Sequence, residues 1–202
     1  MVGTVHPVTP PAPPAASAEA LSPAEFGALF ESFRAGAFRL ETLPEYRVES
    51  EAAQLELFLQ GKPLPPESSV QAEWRRLVSS SARDGRPVRR VHVIPRRLTP
   101  YLRFEIEWGY LYNAEAGEQI MLLVHDHPGQ LFGTWPINDF WLFDDGAATC
   151  ACVRMHYDPE GRFLFGQRVT DPADLAACRR ARDIAMAHAV PLQRYLAEVR
   201  NS

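Results

Sequence analysis

The sequence predicts an α/β fold: a mixed sheet in a β-α-β-β-β-β-α core, preceded by three helices. Three observations carry this reading. Residues 22–84 hold three segments whose apolar residues recur at helical spacing. After Gly85 the pattern changes to short β-branched and aromatic runs, interrupted by one long helical segment near 100–116. Finally, Asn138-Asp139-Phe140-Trp141-Leu142-Phe143-Asp144-Asp145-Gly146 is an aromatic run of strand length, closed by an Asp-Asp-Gly turn and followed by a second apolar run. It reads as the central hairpin.

In chain order, Pro7, Pro10, Pro11, Pro13 and Pro14 sit among alanines, so residues 1–20 read as a disordered arm that buries too little surface to offset its ordering entropy. A single α/β domain is expected over 21–202, with a helical part at 21–85 and the sheet core at 86–202. Ser22-Pro23-Ala24-Glu25 has the form of a capping box with proline at the first helical position. Phe26, Leu29, Phe30 and Phe33 then mark an amphipathic helix. Phe38 to Leu43 reads as a crossing to a second helix at 49–60, with Leu55, Phe58 and Leu59 inward and Gly61 as its stop. A third helix runs from about Ser69 to Asp84, carrying Val70, Trp74, Leu77 and Val78.

Val88 to Ile94 is strand-like and ends at Pro95. Thr99-Pro100 opens the long helix, with Phe104, Trp108, Leu111 and Tyr112 on one side and Gly117 beyond its end. Ile120 to Val124 is wholly apolar, as expected of a strand covered on both faces. A loop, 125–137, leads to the hairpin, whose second strand is expected over 147–157. Asp158-Pro159-Glu160-Gly161 is a turn, Phe163 to Val169 a further strand, and Asp171-Pro172 caps a final helix through Ala189. A terminal turn carries Leu192, Tyr195 and Leu196. The strand-helix-strand unit around 88–124 implies parallel neighbours.

Composition removes several function classes. The 202 residues carry a net charge of −4, so no global field draws the chain to nucleic acid or anionic lipid. No apolar run approaches a membrane span, and the first residues lack the pattern of a signal peptide. Three cysteines, Cys150, Cys152 and Cys178, read as free thiols in a reducing cytoplasm rather than a zinc site. Of the 21 basic residues all but Lys62 are arginine.

Several segments resemble a family of uncharacterised actinobacterial domains of unknown function. These are Phe38-Arg39-Leu40-Glu41-Thr42-Leu43-Pro44-Glu45-Tyr46, Val88-Arg89-Arg90-Val91 with Leu98 to Glu105, Ala116 to Ile120, Asp139 to Asp145, and Ala187 to Pro191. Members are often found beside helix-turn-helix regulators, so the resemblance implies a regulatory association and a helix-turn-helix partner. In element order the chain is also similar to one half of the phospholipase D-like fold. The active form of that fold needs His-x-Lys-x-x-x-x-Asp. With Asp144 in the aspartate place, Ile137 stands for the histidine and Asp139 for the lysine, and neither can do that chemistry. The likeness implies a scaffold without its catalytic motif.

No catalytic triad, phosphate loop or resident cofactor is read from spacing. Arg83, Arg86, Arg89, Arg90, Arg96, Arg97 and Arg103 cluster in sequence against the single acid Asp84. They read either as a solvated strand edge paired with nearby glutamates or as a surface for phosphate and carboxylate. The ligand-binding candidates are Arg90, Tyr101, Arg103, Glu105, Glu118, Asp139 and Asp144, all near strand ends or in the crossover, where open α/β sheets collect ligands. The same charges serve equally as a paired structural network. The expected function is a non-catalytic regulatory or ligand-binding domain for an anionic small molecule, a nucleic acid or a regulator partner. The alternative is an enzyme using Glu118, Asp139 or Asp144, or a metal held by His125 and His127.

Overall fold

The computed structural model describes residues 20–132 and 139–200. Most of the proline-rich arm, and the part of the 125–137 loop that includes Trp135 and Ile137, lie outside the described residues, as does Asn138. Strand β1 (Ala20–Leu21) leads into α1 (Pro23–Ser32). The expected capping box forms there: Glu25 N–H donates to Ser22 Oγ at 3.2 Å, and Ser22 N–H donates to the Glu25 carboxylate at 2.8 Å. Next come β2 (Ala37–Glu41), a 3-10 turn (Glu49–Glu51), α2 (Ala52–Leu59) and α3 (Ser69–Arg83). A second capping box, Ser68 with Gln71, starts α3.

Strand β3 (Val88–Ile94) is followed by α4 (Pro100–Phe104), a π-helical segment (Glu105–Gly109) and α5 (Tyr110–Glu115), which together form the expected long helix. Thr99 caps it by accepting from Leu102 N–H at 3.1 Å. Then come β4 (Gln119–Val124), α6 (Pro128–Leu131), β5 (Phe140–Phe143), β6 (Ala151–Tyr157) and β7 (Phe163–Arg168). The chain closes with α7 (Pro172–His188), β8 (Val190–Pro191) and α8 (Leu192–Arg200). Among the described residues no helix is long and apolar enough to cross a membrane.

Among the described residues the sheet has eight strands, in the order β1-β7-β6-β5-β2-β3-β4-β8. The pairs β2–β3 and β3–β4 are parallel, and the others are antiparallel. The α/β class with a mixed sheet therefore holds. Helix α7 packs its small residues Cys178, Ala181 and Ala185 on Phe38, Leu40, Val91, Val93, Phe140 and Leu142. On the other face, α1 and α3 cover Trp141, Phe143, Val153 and Met155 with Phe30, Phe33, Trp74 and Val78. Beside them, α4, α5 and α8 cover Ile94, Ile120 and Leu122 with Leu102, Tyr110 and Leu192.

One element overturns the sequence reading. Phe38 to Glu41 is not a crossing between helices but the centre of β2, between β3 and β5 and buried along its whole length. Its alternation of apolar and charged residues resembles a half-exposed strand, yet both faces are covered. Two shorter corrections follow. The second hairpin strand starts at Ala151 rather than Ala147, because residues 147–150 wrap around Asp144. The C-terminal turn is a helix that folds back on β4, with Val190 and Pro191 adding an edge strand.

Candidate functional site

Alternation along the central strands sends Phe38 and Leu40 toward α7, and Arg39 and Glu41 to the opposite face. The same rule sends Val91 and Val93 toward α7, and Arg90 and His92 to join Arg39 and Glu41. Asp139, just ahead of β5, and Tyr157, at the end of β6, share that face. The result is a charged network on the sheet itself, between the two apolar clusters of that face.

Its centre is Glu41. Oε1 accepts from Arg39 Nε at 2.8 Å and from Arg90 at 2.7 Å, and Oε2 accepts from the Tyr110 hydroxyl at 3.0 Å. Burial opposes ionisation of Glu41, but the guanidiniums of Arg90 and Arg39 outweigh it and hold the carboxyl well below the usual carboxylate range. Arg90 also donates to Glu118 at 2.7 Å, and the other oxygen of Glu118 accepts from Trp74 Nε1 at 3.0 Å. Arg39 donates to Tyr157 at 2.8 Å and lies 3.9 Å from Asp139. Asp139 accepts from both the N–H and the hydroxyl of Thr42, each at 2.8 Å, and from the Tyr46 hydroxyl.

His92 is fully buried. Its Nε2 faces the Leu43 carbonyl at 2.9 Å and so carries the proton, which makes Nδ1 the acceptor of the neutral ring. Nδ1 lies 2.6 Å from the Tyr110 hydroxyl. The single proton of Tyr110 is thus sought by both His92 and Glu41. Burial pushes the His92 pKa down, with the nearby Glu41 carboxylate partly opposing it.

A cleft of about 490 Å³ opens over this network. Arg39, Glu41, Arg90, Tyr157 and Met155 line it toward the sheet, and Tyr46, Tyr101, Glu51 and Glu105 form its walls. Arg47 and Arg162 lie at the rim. The rim depends on a close backbone approach: Arg47 N–H donates to the Gly161 carbonyl at 2.9 Å, and a Cβ at Gly161 would sit 2.6 Å from the Glu45 carbonyl oxygen.

Glu105 differs from the other acids. It is only 8% exposed and has no hydrogen-bond partner among the described residues. It begins the π-helical segment, a distortion that recurs at functional sites. Its carboxylate rests against Gly109, where a Cβ would come within 3.0 Å of Oε1. Burial raises the Glu105 pKa well above its ordinary value, and repulsion from Glu51 and Glu41 adds to the effect. Burial likewise pushes Glu51 up to about 6, against the hydrogen bond from Tyr101 at 3.1 Å.

Of the expected ligand-binding residues, Arg90, Tyr101 and Glu105 meet in the cleft. Glu118 and Asp139 belong to the network beneath it, each held by neighbouring donors. Arg103 does not join them: it is exposed on α4, whose residues Tyr101, Leu102 and Phe104 are turned inward. Asp144 does not join them either. It lies at the far end of β5 from Asp139, where its carboxylate accepts from the backbone N–H groups of Arg34, Ala35 and Gly36 and from Thr149.

The arginine run disperses. Arg89 bonds Gln119, Arg86 bonds Asp84 and the Phe33 carbonyl, and Arg96 pairs with Asp126 in the open, so these side chains form no single surface with the inward Arg90. His125 Nδ1 accepts from the His127 N–H, and no group of metal-ligating side chains forms among the described residues. Sequence reasoning missed Arg39, Glu41, Tyr46, Glu51, Tyr110 and Tyr157. The only signal for the first two was the strict alternation of Phe38-Arg39-Leu40-Glu41.

No curated protein and no solved structure matches the chain. A family model described as a domain of unknown function (DUF6879) matches residues 24–197, and the chain belongs to that family.

Proposed function

We propose that this is a non-catalytic domain that binds a small molecule in the cleft above the Arg39–Glu41–Arg90 network. One observation carries the reading: a cleft of about 490 Å³ with tyrosine walls, a charged floor and the largely buried Glu105 carboxyl open to it, with no donor on that carboxyl among the described residues. Binding sites for small molecules typically run from about 300 to 1,000 Å³ and place a few polar groups on apolar walls. Arg39 and Arg90 are already engaged by Glu41, Glu118 and Tyr157, so an anionic part of the ligand would meet Arg47 and Arg162 at the rim. A degenerate phospholipase D-like scaffold fits this reading, since Asp139, in the lysine place, serves as a hydrogen-bonded acceptor. A regulatory role beside a helix-turn-helix partner, in the cytoplasm, is the biological setting we propose for it. Nucleic acid stays a weaker candidate, because the arginine run is dispersed.

The test is a thermal-shift screen of metabolite-sized compounds against the full chain and a Val48→Trp variant. Val48 lines the cleft and is partly exposed, so the indole blocks the opening without disturbing the network. A ligand that raises the Tm of the native chain but not of the variant supports the reading. Ligands that act equally on both bind elsewhere and overturn it.

A second reading rests on Glu105 alone: a carboxyl in a cleft whose pKa burial raises could act as a general acid. Glu118, Asp139 and Asp144, the acids expected for an enzyme, are each held by fixed donors. Turnover of a screened compound that is lost in Glu105→Gln would favour this reading over simple binding.

A further inference from the structure

The interior of the cleft has more acids than bases. Arg39 and Arg90 are the guanidiniums facing it, and Glu41, Glu118 and Asp139 already exceed them in number. Glu51 and Glu105 add two further carboxyls on the wall. His92 does not make up the difference, because its ring is held neutral by burial. Buried charge requires a partner, so the surplus calls either for protons or for a cation from outside.

The position of the surplus is specific. Glu41, Glu118 and Asp139 have their donors within the protein, whereas among the described residues Glu105 has none and Glu51 has only the Tyr101 hydroxyl. Beside the hydroxyls of Tyr101 and Tyr110, the charged groups acting on Glu105 are Glu51 from the 3-10 turn, Glu41 from β2, Arg90 from β3 and Glu118 ahead of β4. Three of these four are acids, and the one base is already shared by two of them. The rings of Tyr46 and Tyr101, with centroids 6.1 Å apart, stand beside this corner. Aromatic faces attract cations. Gly109 leaves the space in which the carboxyl sits.

We infer that the inner corner of the cleft, formed by Glu105, Glu51 and the ring of Tyr101, receives a protonated amine or guanidinium group of the ligand. The inference rests on the binding reading above and names the ligand class it lacks. A ligand that also carries an anionic group would place it outward, toward Arg47 and Arg162. Burial raises the pKa of both carboxyls, so an arriving ammonium favours their ionised form, and the protons they hold near pH 6 pass to the buffer.

Three probes of one shape test this on the full chain: benzylamine, benzyl alcohol and benzoate. Titration calorimetry near pH 6 in two buffers of different ionisation enthalpy gives both affinity and proton release. Benzylamine is expected to bind about tenfold or more tighter than the other two, as a charge-assisted contact provides, with net proton release. Glu105→Gln should lose that preference and the release, while its thermal unfolding stays cooperative. Equal or tighter binding of benzoate or benzyl alcohol overturns the inference. So does native-like benzylamine binding by Glu105→Gln, or no benzylamine binding at millimolar concentration. If benzoate or benzyl alcohol binds and Val48→Trp abolishes it, the binding reading stands and only the cation inference falls. If none of the probes and no screened compound binds, both fall.

Discussion

Arg39 and Arg90 stand opposite each other on neighbouring parallel strands and donate to the same oxygen of Glu41, at 2.8 and 2.7 Å. Two like charges in register would repel, and the shared carboxylate makes the arrangement tolerable. The guanidinium groups also lie over Trp141 and Tyr110, at 5.2 and 5.4 Å from the ring centroids.

Glu41→Gln tests that relationship directly. It leaves two buried guanidiniums without their common counter-charge, so a loss on the order of 3–5 kcal/mol is expected, as for breaking a buried ion pair on one side. Urea unfolding measures it. A loss below about 1 kcal/mol would show that the carboxylate charge is not what holds the arginines.

The pH dependence of stability follows from Glu51 and Glu105. Both carboxyls titrate higher in the folded chain than the ordinary 4.5 of a free glutamate, Glu51 near 6. A folded state that binds protons more tightly is favoured at low pH. Their contribution is complete below about pH 4.5 and is lost as the pH rises through the folded values. For Glu51 alone the difference is on the order of 2 kcal/mol. His92 and His156, whose pKa values burial lowers from the ordinary 6.5, oppose this as the pH falls below that value. The check is therefore differential: in calorimetric melts from pH 5 to pH 7 the Tm of Glu105→Gln should rise more steeply with pH than that of the native chain. Glu41 and Asp144, whose pKa values are lowered, act oppositely and destabilise the chain only at more acidic pH. An unchanged slope in the variant would refute the assignment to Glu105.

Asp144 has a structural task. At φ +49° it occupies the left-handed region, and its carboxylate gathers three successive backbone N–H groups at residues 34–36. Asp144→Ala leaves these donors to solvent and is expected to cost about 1–3 kcal/mol, because several charge-assisted bonds to partly buried amides are lost together. Asp144→Asn, which keeps one acceptor oxygen, should cost less. Ligand affinity in the stable remainder should be unchanged, since the residue lies at the opposite end of β5 from the cleft. A binding defect in Asp144→Asn at native stability would contradict this placement.

Gly161→Ala should act on the rim. Its φ of +83° and the 2.6 Å approach to the Glu45 carbonyl both exclude a Cβ without movement. A loss of at least about 1 kcal/mol is expected from the backbone conformation. Proteolysis should then begin near residues 44–48, because the tie from Arg47 N–H to the Gly161 carbonyl is strained. A native digestion pattern would argue against that tie.

Much of the fold was legible because its signals are local. The box of Ser22 and Glu25, the Thr99-Pro100 start and the Asp171-Pro172 start each act within one turn of helix, and each forms as read. The aromatic run at 140–143 forms a strand because its side chains can be buried on both faces. Of the site, Arg90, Tyr101 and Glu105 were legible from charge and spacing in the crossover. Arg39 and Glu41 were not, since a charged residue at every second position of a strand ordinarily marks the solvent face.

The sequence by itself determined the helix starts, most strand positions and the mixed α/β class, because capping, periodicity and turn chemistry act between residues close in the chain. Only the tertiary structure decided that β2 is central, that Glu41 joins two arginines, and that Glu105 stands on a cleft wall without a donor among the described residues. Those outcomes depend on the long-range pairing of β2 with β3 and β5, which removes water from charges that the chain alone would leave solvated.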